Sequence, residues 1–239
     1  MLSFIIAATL IAATAAQACN YSSICANHTM CQYPTTNYGP NCLAPVYSGV
    51  NATTQQQIVD LHNNLRRKVA QGNETRGNPG PQPSAANMRE FTWDDELATI
   101  AQRWANQCTF QHDTCRSVAR FYVGQNLYMS LSTGTPNSIQ NWTAAVQAWY
   151  DEVQNFNKSH INPFQFSSAT GHYTQVVWAD TYLVGCGFTA FNNSDGWYRK
   201  FYACNYGPGG NYLNGIMYKT GTACSQCPAG TICDNGLCA

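Results

Sequence analysis

Charge is scarce in this chain. Lysine plus arginine number 12 and aspartate plus glutamate also 12, so only 10% of the 239 residues carry charge and the two signs cancel. Such a balance gives no electrostatic footprint for a nucleic acid or for an anionic membrane surface. Long apolar runs are missing after the first residues, so no later stretch is suited to span a bilayer. Neither an HExxH motif nor a GxSxG elbow occurs, which removes the local signatures of a zinc hydrolase and of a serine hydrolase.

What is present first defines a compartment. The opening MLSFIIAATLIAATAAQA has an apolar run from Leu2 to Ala16, ended by the small-x-small pattern Ala16-Gln17-Ala18 that a signal peptidase accepts. The run lacks a basic residue before it and a basic flank after it. Residues 1–18 therefore read as a signal peptide, and the mature chain as secreted and extracellular from Cys19 onward. All twelve cysteines follow that point, and an even number in an exported chain implies disulfides. Seven Asn-x-Ser/Thr sequons, at Asn20, Asn27, Asn51, Asn73, Asn141, Asn157 and Asn192, imply a glycosylated surface. Roughly 220 residues remain, enough for one sizeable core and a small appendage.

Residues 19–50 carry four cysteines (Cys19, Cys25, Cys31, Cys42) and little periodicity, as expected of an irregular segment held by disulfides. TQQQIVDLHNNLRRKVAQG reads as a helix: Thr54 with Gln57 suits a capping box, Gly72 a C-terminal cap, and Ile58, Leu61, Leu65 and Val69 form an apolar stripe. His62 falls beside that stripe. DDELATIAQRWANQC reads as a second helix, its acidic start matching the helix dipole and Leu97, Ala101, Trp104 and Cys108 sharing a face. A third helix is expected over 138–153, with Ile139, Trp142, Val146, Trp149 and Val153 as its stripe and Glu152 at the edge. HDTCR and VGQNLY are assigned to a loop. HYTQVVW, LVGCGFTAF and WYRKFYACNYG read as strands joined by turns, so helices would cover both faces of one short sheet. The tail CSQCPAGTICDNGLCA, with four cysteines and little apolar content, is expected to depend on its disulfides.

GHYTQVVWADT and FYACNYGPGGNYLN are similar to the two signature segments of the CAP superfamily, the cysteine-rich secretory, antigen 5 and pathogenesis-related 1 proteins. HNNLRRKVAQG, ELATIAQRWANQC, HDTCR and VGQNL narrow the resemblance to the antigen 5, or venom-allergen, branch of arthropods. It covers Cys19 to Lys219, divided as a segment 19–50 packed on a CAP domain 51–219, with 220–239 as a hinge-like tail. The resemblance implies an α+β fold, a three-layer α-β-α sandwich with a central antiparallel sheet. It also implies the pairs Cys19–Cys31, Cys25–Cys115, Cys42–Cys108 and Cys186–Cys204, with Cys224–Cys233 and Cys227–Cys238 in the tail.

The family carries a cleft tetrad of two histidines and two acidic residues. The resemblance maps it onto His62, Gln125, Glu152 and His172, with Gln125 standing where many members have glutamate. Two converging imidazoles, His62 and His172, are a candidate divalent-metal pair with zinc the leading ion, though no cofactor is required. Gln125 cannot act as a base, and a metallohydrolase normally needs three good ligands plus a carboxylate base. His28, His112 and His160 are read as locally satisfied. Ser130 and Ser132 show no mark of activation, and the implied disulfides leave no thiolate. Aromatic residues cluster at Trp142–Trp149–Tyr150–Phe156 and Phe164–Phe166, mostly as core, while NFNKSHINPFQF suits a flexible lip over an apolar groove. Some CAP relatives bind sterols or fatty acids in such grooves. The expected role is thus non-enzymatic, binding a sterol, a fatty acid or a host or prey protein, by a monomer with no membrane span and no nucleic-acid partner. The alternatives are a metal-dependent protease or esterase and an ion-channel-directed toxin.

Overall fold

The computed structural model describes residues 19–133 and 137–239, so the segment read as a signal peptide lies outside the described residues. In chain order come α1 (Thr29–Gln32), β1 (Leu43–Ser48), α2 (Ala52–Ala70), β2 (Thr92–Trp93), α3 (Asp95–Ala105), β3 (Gly124–Ser132), α4 (Trp142–Asp151), α5 (Gly171–Val176), β4 (Leu183–Asn192) and β5 (Tyr198–Gly207). The tail adds β6 (Cys233–Asp234) and β7 (Leu237–Cys238), and two 3-10 turns, Glu152–Asn155 and Lys158–His160, link α4 to α5.

The strands run β1-β4-β5-β3, antiparallel at every pairing, while the two residues of β2 lie parallel to β4. Side chains alternate between the two faces of a strand. Val184, Cys186 and Phe188 of β4 and Tyr202, Cys204 and Tyr206 of β5 join α2, α4 and α5 in the larger core. Phe201 and Ala203 face the other way, against Ala101, Trp104 and Ala105 of α3. The sandwich is therefore α-β-α, as the resemblance implied. Glycines in β4 let α3 approach: a β-carbon on Gly185 would stand 2.2 Å from the Ala98 nitrogen, and one on Gly187 2.4 Å from the Gln102 nitrogen. The alternation V-G-C-G-F thus builds a core on one face and backbone-close packing on the other.

Several elements differ from the sequence reading. VGQNLY is strand rather than loop, because Gly124–Ser132 pairs residue for residue with β5; the polar Gln125 and Asn126 hide its strand character. The N-cap of α2 is Asn51, whose Oδ1 accepts the Thr54 amide, in place of the Thr54–Gln57 box. Its buried face is Ile58, Val59, His62, Asn63, Arg66, Val69 and Ala70, turned about one residue from the expected stripe, so Leu61 and Leu65 are only half-buried. α4 starts at Trp142 behind an Asn141 cap, leaving Ile139 71% exposed.

The largest correction concerns GHYTQVVW. Gly171–Val176 is a short helix, not a strand. Its β-branched residues favour a strand locally, but both helix ends are held by distant side chains. The Glu152 carboxylate accepts the His172 and Tyr173 amides at 2.8 and 3.1 Å. At the other end the buried Arg66 guanidinium donates to the carbonyls of Val176 and Trp178, both at 2.8 Å.

All six disulfides form as the resemblance implied, and no cysteine among the described residues is free. Cys25–Cys115 and Cys42–Cys108, with sequence separations of 90 and 66, fasten the N-terminal segment to α3 and its following loop. Long closed loops lose the most unfolded-state entropy on cross-linking. The tail has more support than disulfides alone: Leu237 is fully buried in the larger core, and Cys238 exchanges backbone bonds with Met88 and Glu90. No described helix is long and apolar enough to cross a membrane.

Candidate functional site

Because α5 is a helix, His172 sits in its first turn, directly over the end of α4. Glu152 Oε1 accepts the Nδ1–H of His172 at 2.7 Å, while Oε2 takes the two backbone amides. One carboxylate thus caps α5 and sets the histidine tautomer, leaving Nε2 with the lone pair of the neutral ring.

The facing wall comes from β3 and the loop before it. Gln125 Oε1 accepts the Nδ1–H of His112 at 2.7 Å, and its Nε2 donates to Asp113 Oδ1 and Asn205 Oδ1, both at 3.0 Å. This explains the amide at position 125. A glutamate there would set its oxygen against the Asp113 carboxylate, acceptor against acceptor. Asp113 is itself paired with Arg116. Burial pulls His112 below its ordinary pKa, opposed by the bond to Gln125 and reinforced by the nearby charge of Arg116. His112 is therefore neutral at neutral pH, with Nε2 again the remaining nitrogen.

His112, Gln125, Asn126 and His172 line one cavity of about 220 Å³. It shares His112, Gln125, Phe166 and Asn211 with a wider cleft of about 610 Å³. Around the cleft stand Tyr122, Phe166, Tyr212 and Leu213, whose exposures run from 47% to 70%. Most of the segment expected as a lip is anchored, with Phe156, Ile161 and Phe164 buried in the larger core, while its last residue, Phe166, reaches the cleft.

His62 does not belong to this group. It is fully buried on α2, its Nδ1 bonded to the Ile58 carbonyl at 2.8 Å and its Nε2 to the Tyr206 hydroxyl at 2.9 Å. Trp149 neighbours both histidines, its ring 6.3 Å from that of His62 and 6.5 Å from that of His172. With both nitrogens satisfied, the expected His62–His172 metal pair is not formed, and the second cleft imidazole is His112. Its signal in the sequence was HDTCR, a histidine pinned next to Cys115 and thirteen residues before Gln125. Tyr122, Asn211, Tyr212 and Leu213 had no such signal, since their membership depends on loops folding together, and Asn126 enters the cavity through β3, which the sequence reading assigns to a loop. Ser130 and Ser132 pair with Lys200 and Tyr198 of β5 and line neither cavity.

Burial pushes His62 down to about 4, against the help of its bond to Ile58. Its neutral form is favoured in the fold, so it stabilises the protein above the ordinary histidine pKa, with that contribution lost as pH falls from about 6.5 to about 4. In an NMR titration the His62 ring resonances should hold still through pH 6.5 and move only near 4. A midpoint near 6.5 would place the ring in solvent.

Residues 59–206 match the model of CAP, the cysteine-rich secretory protein family. The chain belongs to this family. It is 48% identical over 210 residues to Venom allergen 3 of Solenopsis invicta, covering 84% of this chain and 88% of that one. It is 46% identical over 204 residues to Venom allergen 5 of Dolichovespula arenaria, covering 84% and 98%. These similarities set it on the antigen 5-like branch of the CAP proteins. Among solved structures, BmVAL-1 superposes with a TM-score of 0.69 at 29% identity, covering 79% of this chain and 95% of that one. The crystal structure of NaASP2 with Zn2+ gives 0.65 at 31% identity, covering 83% and 100%.

Proposed function

We propose that this antigen 5-like CAP protein acts after secretion as a non-enzymatic carrier of an amphipathic small molecule of the sterol or fatty-acid class. The observation that carries this reading is the cleft of about 610 Å³, in which large, partly apolar side chains surround a polar floor that includes His112, Gln125, Asn211 and the Asp113-paired Arg116. Its volume falls within the ~300–1,000 Å³ usual for small-molecule pockets. The ligand's polar head would meet His112, Gln125 and Asn211, and its apolar body Phe166, Tyr122 and Leu213. The apolar surfaces left uncovered on these side chains supply the driving force, at about 25 cal/mol per Å² removed from water.

A divalent ion suits the adjoining cavity of about 220 Å³ as a two-imidazole site. His112 and His172 each keep Nε2 after their Nδ1 bonds are made, and bound zinc would supply a Lewis-acid anchor for an acidic head group. The zinc in the NaASP2 structure supports this choice of ion. The donor set speaks against hydrolysis: Glu152 has both oxygens engaged by three N–H donors, and Gln125 offers no base.

The test is solvent extraction of the purified secreted protein followed by mass spectrometry. A co-purified sterol or fatty acid, or saturable titration by one, is expected. An empty protein that also fails both titrations contradicts the reading.

A further inference from the structure

A second groove lies away from the histidine cleft, between the N-terminal end of α2, the strand β2 and α3. Its main cavity is about 410 Å³ and is lined in part by Val50, Gln55, Trp93, Asp95, Gln102 and Arg103. A neighbouring hollow shares Gln55 and Trp93 with it and continues past Ala52. Trp93 is half-buried, and its indole N–H is fixed on Asp95 Oδ1 at 3.1 Å. An indole surface beside carboxamide, carboxylate and guanidinium groups is chemistry that suits a hexosamine, which offers an apolar C–H face rimmed by hydroxyl and amide groups.

Asn51 lies in the chain between residues that line the two hollows. Its neighbour Val50 lines one and its neighbour Ala52 the other. It is exposed and heads the sequon Asn51-Ala52-Thr53. Its Oδ1 accepts the Thr54 amide at 2.9 Å, which leaves Nδ2, the atom that takes a glycan, on the other side of the carboxamide. Asn192 differs, because its Nδ2 donates to the Ala44 carbonyl at 2.8 Å. None of the other six sequon asparagines is flanked by residues of this groove.

We infer that Asn51 is glycosylated and that the groove holds the first sugars of its own N-linked chain against Trp93. Modification joins the anomeric carbon of the sugar to Asn51 Nδ2, with loss of one amide proton and departure of the lipid-linked pyrophosphate of the secretory donor. The glycan then acts as a tethered ligand that braces the start of α2 against β2 and α3. Its high effective concentration lets a weak sugar contact stay closed.

The experiment uses the full secreted protein from a glycosylating host. Thr53→Ala removes the sequon while keeping the Asn51 cap, and Thr53 is exposed. Glycopeptide mass spectrometry should find Asn51 occupied in the wild type and bare in Thr53→Ala. Wild type should melt about 2–4 °C above Thr53→Ala, and that gap should vanish in the Trp93→Leu background. Hydrogen exchange in residues 93–103 should be slower in the glycosylated wild type than in Thr53→Ala, a comparison that does not depend on Trp93→Leu folding. An unmodified Asn51, a gap that persists without Trp93, or equal exchange in residues 93–103 overturns the inference.

Discussion

Replacing Arg66 with methionine is expected to destabilise the fold by at least ~4 kcal/mol, near the top of the range for single substitutions. Arg66 is fully buried on α2 and makes six hydrogen bonds of 2.7–3.2 Å to the carbonyls of Arg89, Val176, Trp178, Ala179 and Thr181. Its guanidinium also lies 4.3 Å from the centre of the Phe91 ring. Burial, with Arg89 nearby, lowers its pKa to about 9, so it stays charged at neutral pH. Each bond to a charged donor is worth roughly 1.5–3 kcal/mol, and each abandoned buried carbonyl costs about 1–3 kcal/mol. Methionine fills much of the volume and pairs none of the five carbonyls. Lysine should rescue little, because an ammonium cannot reach acceptors spread around a planar fork. Denaturant midpoints of the non-reduced proteins measure this, and a loss below ~1 kcal/mol would show that water or local rearrangement replaces the guanidinium.

Glu152→Gln should weaken zinc binding by about 10–100-fold, the usual effect of losing the partner that orients a ligating histidine. The wild-type carboxylate accepts three N–H groups, whereas an amide has one carbonyl oxygen and a donor facing the His172 ring. The ring would then turn or change tautomer, and the start of α5 would lose part of its cap. Isothermal titration with zinc gives the affinity, and circular dichroism shows whether the fold is kept. Unchanged affinity in a folded Glu152→Gln variant would mean that His172 takes no part in cation binding. His112→Ala should lose at least as much, since it removes a donor outright.

These two residues also mark how far a sequence can be read. The β4 and β5 strands were legible because their side chains alternate between two buried faces. α3 was legible because an acidic cap precedes a 3.6-residue stripe. α5 was not, because what holds it helical is Glu152 twenty residues upstream and Arg66 more than a hundred upstream. Local β propensity then pointed the wrong way. His62, read as a cleft ligand, and His112, read as locally satisfied, exchanged roles for a related reason. His62 lies on a periodic helix face, and that periodicity correctly signalled burial; what it could not show was Tyr206 waiting to satisfy the second nitrogen. His112 lies in an irregular loop where no period exists, and its place in the cleft follows from a disulfide at Cys115 and a bond to Gln125. The apolar rim was legible only in part: Phe166 ends the segment expected as a lip, whereas Leu213 joins it from a separate loop that meets it only in the fold.

The most direct measurement is titration of a fluorescent fatty acid into the wild type, Phe166→Asp, Leu213→Asp and the surface control Ile139→Asp. Removing one apolar wall of roughly 1.5–3 kcal/mol should weaken binding about tenfold or more at either cleft position. The control, 71% exposed and outside the residues lining the cleft, should leave affinity unchanged. Saturable binding with that pattern is what the cleft predicts. A wild type that does not bind, or cleft variants that bind as well as the control, would contradict it.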